Sequence, residues 1–329
     1  MEHEALYWQK ENKNVQCLLC PHQCLLKEGQ NGICGVRQNV QQKLITHAYN
    51  NICAIAIDPI EKKPLYHFMH STATFSIAMA GCNLKCKNCQ NSHISQETEH
   101  TGYHFSPSYI VENAISKKCP SISYTYTEPT IFYEYMLETA ELAHKHGLKN
   151  IMVSNGFINQ APLLHLIPFM DAVNIDVKAF DEKVYRNLTG GSLQPILETI
   201  KTLTQQKVHI ELTYLLVPSF SDDTKQIMAF IDWLLENKLT FVPLHFSRFF
   251  PAYQLEHLLP TPAEHIVEAV KLATSKGMLY AYSGNLNDAD NNTYCPFCHT
   301  LVIERKYYHT TLKNLINGCC QKCGTKIIS

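Results

Sequence analysis

Residues 75–96 read FSIAMAGCNLKCKNCQNSHISQ. The first six, FSIAMA (75–80), are an apolar, strand-like run. Cys82, Cys86 and Cys89 follow it directly, with gaps of three and two residues. Three thiolates can bind three irons of a [4Fe–4S] cube. Four ligands are the norm, so a three-cysteine motif leaves one iron free for another ligand. The competing reading is a zinc site completed by a distant residue such as His93. Zinc ligands usually come as two separated CxxC-type pairs, which disfavours it.

Beyond this stretch the chain alternates. Strand-like runs recur at SISYTY (121–126), NIMVS (150–154), AVNIDV (172–177), HIELTYLLV (209–217), FVPLHF (241–246) and LYAY (279–282). Helical patterns fill the gaps: one begins near Pro107, one spans about 130–146, and others cover about 192–206, 223–236 and 262–275. Ile227, Phe230, Ile231, Leu234 and Leu235 recur at helical spacing as an apolar stripe. Thr261, Pro262 and Glu264 read as a capping box with proline at the first helical position. Strands alternating with helices imply an α/β fold of parallel βα units. Six or seven units could form an open or closed barrel, with working residues at the C-terminal strand ends. A doubly wound sheet gives the same alternation.

Composition narrows the class. The 329 residues are 45% hydrophobic, with 28 basic and 29 acidic side chains and a net charge of −1. Disordered and collagen-like chains are excluded, and a large basic face for duplex nucleic acid is not suggested. The N-terminus has no apolar signal region, and no stretch approaches the roughly 18 apolar residues of a membrane span. The expected compartment is the cytoplasm, where thiols stay reduced. There the 14 cysteines, mostly clustered, read as metal ligands rather than disulfides. Cys53 and Cys119 stand apart and read as buried structural thiols.

Two further cysteine groups flank the central trio. Cys295 and Cys298, with Cys320 and Cys323, have the spacing of a closed, structural four-thiolate zinc ribbon. Cys319 and His299 are rival ligands. Residues 295–329 hold five basic residues and one acid, Glu304, a balance that suits a nucleic-acid or protein partner, or a simple cap on the fold. Cys17, Cys20, Cys24 and Cys34 suit either zinc or a second [4Fe–4S] cluster. The expected division is a Cys-rich metal-binding segment (1–60), a barrel (61–290) and the ribbon (291–329).

GCNLKCKNCQN resembles the cluster motif of radical S-adenosylmethionine (radical SAM) enzymes. CLLCPHQC, GICGVR, DPIEKKPLYHF, SYTYTEPTIFYEY, VSNGF, NIDVKAF, PLHFSRFFPAY and YSGN occur around it in the order of the radical enzyme of the AmmeMemoRadiSam system. That family is related to pyruvate formate-lyase activating enzymes. The likeness runs from about residue 15 to the end. Asn88 stands where the wider superfamily commonly carries an aromatic residue, and Ala78-Met79-Ala80 where a Gly-Thr type approach is usual.

The resemblance implies a partial (β/α)6-type TIM barrel. It also implies S-adenosylmethionine chelated to the open iron through its methionine amine and carboxylate. Reductive cleavage would yield methionine and a 5′-deoxyadenosyl radical that takes hydrogen from a substrate. It places Thr127, Glu128, Ser154, Asn155, Asp176, Lys178 and His245 beside the cofactor, with Arg248 a weaker candidate. Glu128 would accept from the methionine ammonium. Ser154-Asn155 would lie near the ribose. Lys178 would pair with the carboxylate, and Asp176 would hold ribose or ammonium.

Singly, an Asp/Lys pair reads as a structural ion pair, Glu-Pro as a turn and His245 as a core histidine. Their shared place at successive strand ends favours the site. A flavodoxin or ferredoxin electron donor is implied, as are Memo-like and AMMECR-like partners. The substrate is a protein or peptide, as in glycyl-radical activation, or an RNA or small molecule. The alternative is a non-catalytic metal-ribbon scaffold that binds protein or nucleic acid. A zinc hydrolase lacks its HExxH motif.

Overall fold

The computed structural model describes residues 3–96, 102–286 and 289–328. Its centre is an eight-stranded sheet. An edge strand, β1 (Ile52–Pro59), runs antiparallel to β2 (Ala73–Met79). From β2 the sheet is parallel and follows chain order through β3 (Ser121–Tyr124), β4 (Lys149–Ser154), β5 (Ala172–Val177), β6 (His209–Leu216), β7 (Leu244–Arg248) and β8 (Ala281–Ser283). A doubly wound sheet reverses its strand order at a switch point. This sheet does not, which removes that reading of the alternation.

The connections are α1 (Pro107–Ser116), α2 (Tyr133–Lys145), α3 (Gln160–Leu166), α4 (Glu182–Thr189), α5 (Gln194–Gln205), α6 (Thr224–Glu236) and α7 (Ala263–Lys276). The stripe on α6 packs as its period requires, with Ile227, Phe230, Ile231 and Leu234 buried and Leu235 half-buried. The capping box does not form. Thr261 donates its hydroxyl to Leu216 O and accepts from Phe249 N, so Pro262 is the cap residue and α7 starts at Ala263. Strand FVPLHF begins only at Leu244, after a turn closed by Val242 N and Leu239 O. Helix α4 is absent from the sequence reading, although Asp181 caps it through Lys183 N and Val184 N and Gly190, at φ 74°, ends it.

Strand side chains alternate between two faces. One face is apolar and packs in the main core: Phe75, Ile77 and Met79 on β2, Val173, Ile175 and Val177 on β5, Leu212, Tyr214 and Leu216 on β6. The other is small and polar, and its hydrogen bonds run across strands. Thr74 bonds Ser123 at 2.7 Å, Ser76 donates to Asp58, and Thr213 donates to Asn174 at 3.0 Å. Burial on both faces explains why these strands read as continuous runs. Cys119 is buried and Cys53 half-buried, and burial pushes the Cys53 thiol up to about 11.

The N-terminal segment forms two small sheets, Trp8–Glu11 with Asn14–Cys17 and Leu25–Leu26, and His3–Glu4 with Lys43–Thr46 and Arg37–Val40. Buried Arg37 ties the segment to α2 through Glu134 at 2.5 Å. At the other end the C-terminal ribbon docks through Arg305, which donates to Tyr66 O and Thr293 Oγ1, each at 2.7 Å, and lies over the Tyr66 ring. His67 completes the joint. It bonds Tyr282 Oη at 2.6 Å and Ile327 O at 3.2 Å. No described helix is long and apolar enough to cross a membrane.

Burial pushes His67 down to about 3. The unfolded chain takes up this proton near pH 6.5, and the folded chain does not until about pH 3. The unfolded state therefore binds more protons between those values, and stability falls as the pH is lowered through them. Urea unfolding of the full chain is expected to lose stability from pH 7 to pH 5, at up to about 1.4 kcal/mol per pH unit from this group. His67→Phe is expected to flatten that limb; an unchanged slope would remove His67 as its source.

Candidate active site

A cavity of 430 Å³ opens at the C-terminal ends of β2 to β7. Cys82, Cys86 and Cys89 line it, with Thr127, Glu128, Ser154, Asn155, Asp176 and Lys178. Nine of the ten expected contacts therefore converge on one space.

The cysteine loop has almost no secondary structure of its own, and other elements hold it. Lys85 N and Lys87 N donate to Thr189 O and Leu188 O at the end of α4, Gly81 N to Ile94 O, and Gln254 N to Lys87 O. Asn83 Nδ2 donates to Phe157 O at 2.7 Å. Gly81 is required at its place. Its φ is 109°, and a Cβ there would lie 2.9 Å from Cys34 O and from Val36 Cγ1. Burial pushes the Cys86 thiol up to about 12, with nearby Lys178 opposing the shift.

Glu128 is 2% exposed and organises the next strand ends. Its Oε1 accepts from Thr130 N, Thr130 Oγ1 and Ser154 Oγ, and its Oε2 from Asn155 N at 2.8 Å. Burial raises the carboxyl above its ordinary range, and these bonds oppose the rise. Asn155 Nδ2 reaches Asn83 Oδ1 at 2.9 Å and Cys82 Sγ at 3.8 Å. Thr127 donates its hydroxyl to Met79 O at 2.6 Å and so fastens the loop to β2. Lys178 pairs with Asp176 at 2.7 Å. Burial alone would lower the ammonium, but Asp176 and the Cys86 thiol hold it above its usual value.

His245 is the exception. It shares a face of β7 with Ser247 but lies one step deeper, fully buried, with Nε2 2.7 Å from Glu211. The rings of Tyr66 and Tyr282 pack against it. Glu211 also accepts from Tyr66 N and His67 N, and hydrogen bonds from His209 and His245 hold its carboxyl well below the usual range despite burial. His245 thus belongs to the buried joint under the cavity, because its register on β7 sets it below the rim.

The cavity also takes Asn88, singled out in the cysteine motif, and residues the sequence reading passed over: Lys62, Lys63, Asn174, Thr213 and Ser247. The two lysines lie in the DPIEKKPLYHF stretch. Lys62 and Lys63 reach Asp58 at 2.8 and 2.6 Å, and Tyr126 also donates to it. Arg248 lines the rim, anchored by Nε to Thr261 O at 2.8 Å. Asn88 Oδ1 is buried in this wall with no hydrogen-bond partner, so the cavity offers an unused acceptor beside the three thiols.

The outer groups differ. Sulfurs of Cys295, Cys298, Cys320 and Cys323 all lie within 4.8 Å of one another, and Cys295–Cys323 and Cys298–Cys320 are 3.4 and 3.6 Å apart. Neither Cys319 nor His299 is in this set. The four N-terminal cysteines line one small pocket with Arg37 and Asn83.

Residues 76–231 match the Radical SAM superfamily. The chain is 41% identical over 330 residues to the uncharacterized protein MJ0808 of Methanocaldococcus jannaschii, covering 98% of each. It is 29% identical over 92 residues to the pyruvate formate-lyase 1-activating enzyme of Escherichia coli, covering 27% of this chain and 37% of that one. The fold is like that of Streptococcus suis SuiB bound to S-adenosylmethionine, with TM-score 0.51 at 13% identity over 65% of this chain and 51% of that one.

Gly81→Ala places a methyl against Cys34 O in a left-handed conformation. It is expected to cost about 1–3 kcal/mol in urea unfolding. A wild-type midpoint would show that the contact between the cysteine loop and the N-terminal segment is loose.

Proposed function

We propose that the chain, whose residues 76–231 match the Radical SAM superfamily, is a radical SAM enzyme. In this reading Cys82, Cys86 and Cys89 hold a [4Fe–4S] cluster whose open iron takes S-adenosylmethionine. The observation that carries it is the convergence of the three thiols with Glu128, Asn155, Asp176 and Lys178 on one cavity. The donor set fits. Sulfur ligands suit iron–sulfur chemistry, and the orphaned Asn88 Oδ1 offers an acceptor for a cofactor N–H. When bound, the pair would supply reductive cleavage to methionine and a 5′-deoxyadenosyl radical that abstracts hydrogen from the substrate.

The chain's own residues bind and orient. Glu128, fixed by four donors, presents a carboxylate for the methionine ammonium. Lys178 offers its charge to the methionine carboxylate, held in place by Asp176. Ser154 and Asn155 fix Glu128 and face the ribose, while Thr127 secures their loop. Asn83, Leu84 and Asn88 bury one side of the cysteine loop, while its three thiols stay partly exposed in the cavity.

The seven sequential parallel strands fit a partial (β/α)6-type barrel between residues 61 and 290. It is flanked by the metal segment (1–60), which lends β1 to the sheet, and by the ribbon (291–329). Zinc suits the ribbon, since a tetrahedral site with sulfur at about 2.3 Å requires closely gathered thiolates. The reducing cytoplasm suits the free thiols, and a flavodoxin or ferredoxin would deliver the electron. Kinship with activating enzymes favours hydrogen abstraction from a protein or peptide. The sequence resemblance to the AmmeMemoRadiSam radical enzyme brings in Memo-like and AMMECR-like proteins as candidate partners.

Anaerobically reconstituted, reduced protein is expected to convert S-adenosylmethionine to 5′-deoxyadenosine. No cleavage by a fully loaded cluster would favour a non-catalytic scaffold. Glu128→Ala is expected to weaken cofactor affinity at least about tenfold, for a charge-assisted bond worth 1.5–3 kcal/mol, with iron content unchanged. Equal affinity by calorimetry would take Glu128 out of the site.

A further inference from the structure

We propose that Cys17, Cys20, Cys24 and Cys34 hold a second [4Fe–4S] cluster, packed against the back of the Cys82 loop, which passes the electron to the cavity. The ribbon supplies the comparison. Tetrahedral zinc draws four sulfurs to about 3.8 Å of one another, from bonds of about 2.3 Å, and the ribbon cysteines are gathered in that way. A cube spreads its ligands, because each thiolate binds a different iron. Among the described residues only the ribbon forms a group of three or more metal-binding side chains whose ligand atoms all lie within 4.8 Å. The N-terminal four share one pocket without that gathering, and so resemble the Cys82 trio rather than the ribbon. Two of their sulfurs still face a common space: Cys24 Sγ and Cys34 Sγ lie 3.7 and 3.8 Å from the point a Cβ on Gly32 would occupy.

A second observation points into the same pocket. Arg37 lines it, is 1% exposed, and its Nε has no hydrogen-bond partner. A buried donor beside four thiolates suits the sulfurs of an anionic cluster.

The placement supplies the role. Gly81, next to Cys82, packs on Cys34 O. His22, within the CPHQC stretch, bonds Asn83 O at 2.7 Å. Asn83 lines the N-terminal pocket, and Asn155 bridges it to Cys82. Asn83 and Asn155 therefore link the N-terminal pocket to Cys82. Cys17 and Cys34 are buried, whereas Cys20 and Cys24 are half-exposed, so the pocket has a side open to a donor. One electron from a low-potential flavodoxin- or ferredoxin-type protein would reduce the N-terminal cluster by one unit. Its transfer inward would reoxidise that cluster and reduce the one at Cys82.

The site rests on these cysteines alone, whereas the relay rests also on the reading of the cavity, and the test separates them. A full-length Cys82→Ala/Cys86→Ala/Cys89→Ala variant leaves the N-terminal segment intact. Wild type is expected to carry about eight irons and the variant about four, with a reducible cubane signal by electron paramagnetic resonance. An iron-free variant holding two zincs per chain would overturn the site. For the relay, Cys20→Ser/Cys24→Ser is expected to keep about four irons that dithionite reduces. Their reduction by flavodoxin should slow at least about tenfold, a barrier increase near 1.4 kcal/mol. Reduction by flavodoxin at the wild-type rate would overturn the relay.

Discussion

The loop that carries Cys82, Cys86 and Cys89 has almost no secondary structure of its own and must be held by other elements, and this constraint shapes the molecule. The segment from Gly81 to Cys89 is fixed from outside, by carbonyls at the end of α4, by Phe157 O after β4 and by the packing of Gly81 on Cys34. The parallel sheet makes such anchoring possible. Its chain order brings successive strand ends to one rim, and its polar face lets Glu128, Asn155 and Lys178 arrive there already paired. Glu128 is the clearest case. Its burial is tolerable because four donors surround it, and those same donors fix the direction in which it faces.

The outer segments extend this logic in opposite directions. The N-terminal knuckle lies behind the cysteine loop and touches it through Gly81 and His22. The ribbon caps the far end of the sheet, where Arg305, Tyr282, His67 and Glu211 form a buried polar joint. A buried network of this kind is costly unless every member is satisfied. In it Glu211 accepts from two histidines and two backbone N–H groups, whereas His245 Nδ1 and Arg305 Nε have no hydrogen-bond partner. His245 is held there rather than at the cavity.

Much of this was legible in the sequence. The 172–177 strand and the α6 stripe are local patterns, and they appear where periodicity puts them. Cys82, Cys86 and Cys89 announce themselves by spacing, and Glu128 and Asn155 by their place after strands. What escaped depends on register and long-range partners. His245 and Ser247 share one face of one strand, and only depth along the strand decides which of them meets the cavity. Thr261 has the chemistry of a cap, but a carbonyl on β6 claims its hydroxyl. Lys62 and Lys63 carry no local mark of their place in the wall. The choice of strand order needs pairings between distant segments, which alternation cannot encode.

The central claim is an iron left open by three thiolates and chelated by the amino acid end of S-adenosylmethionine. Electron–nuclear double resonance of the reduced protein, with the cofactor labelled at its amino nitrogen and carboxylate oxygens, tests it directly. Hyperfine coupling from both labels to the cluster is the expected result. A bound cofactor with neither coupling would contradict the account.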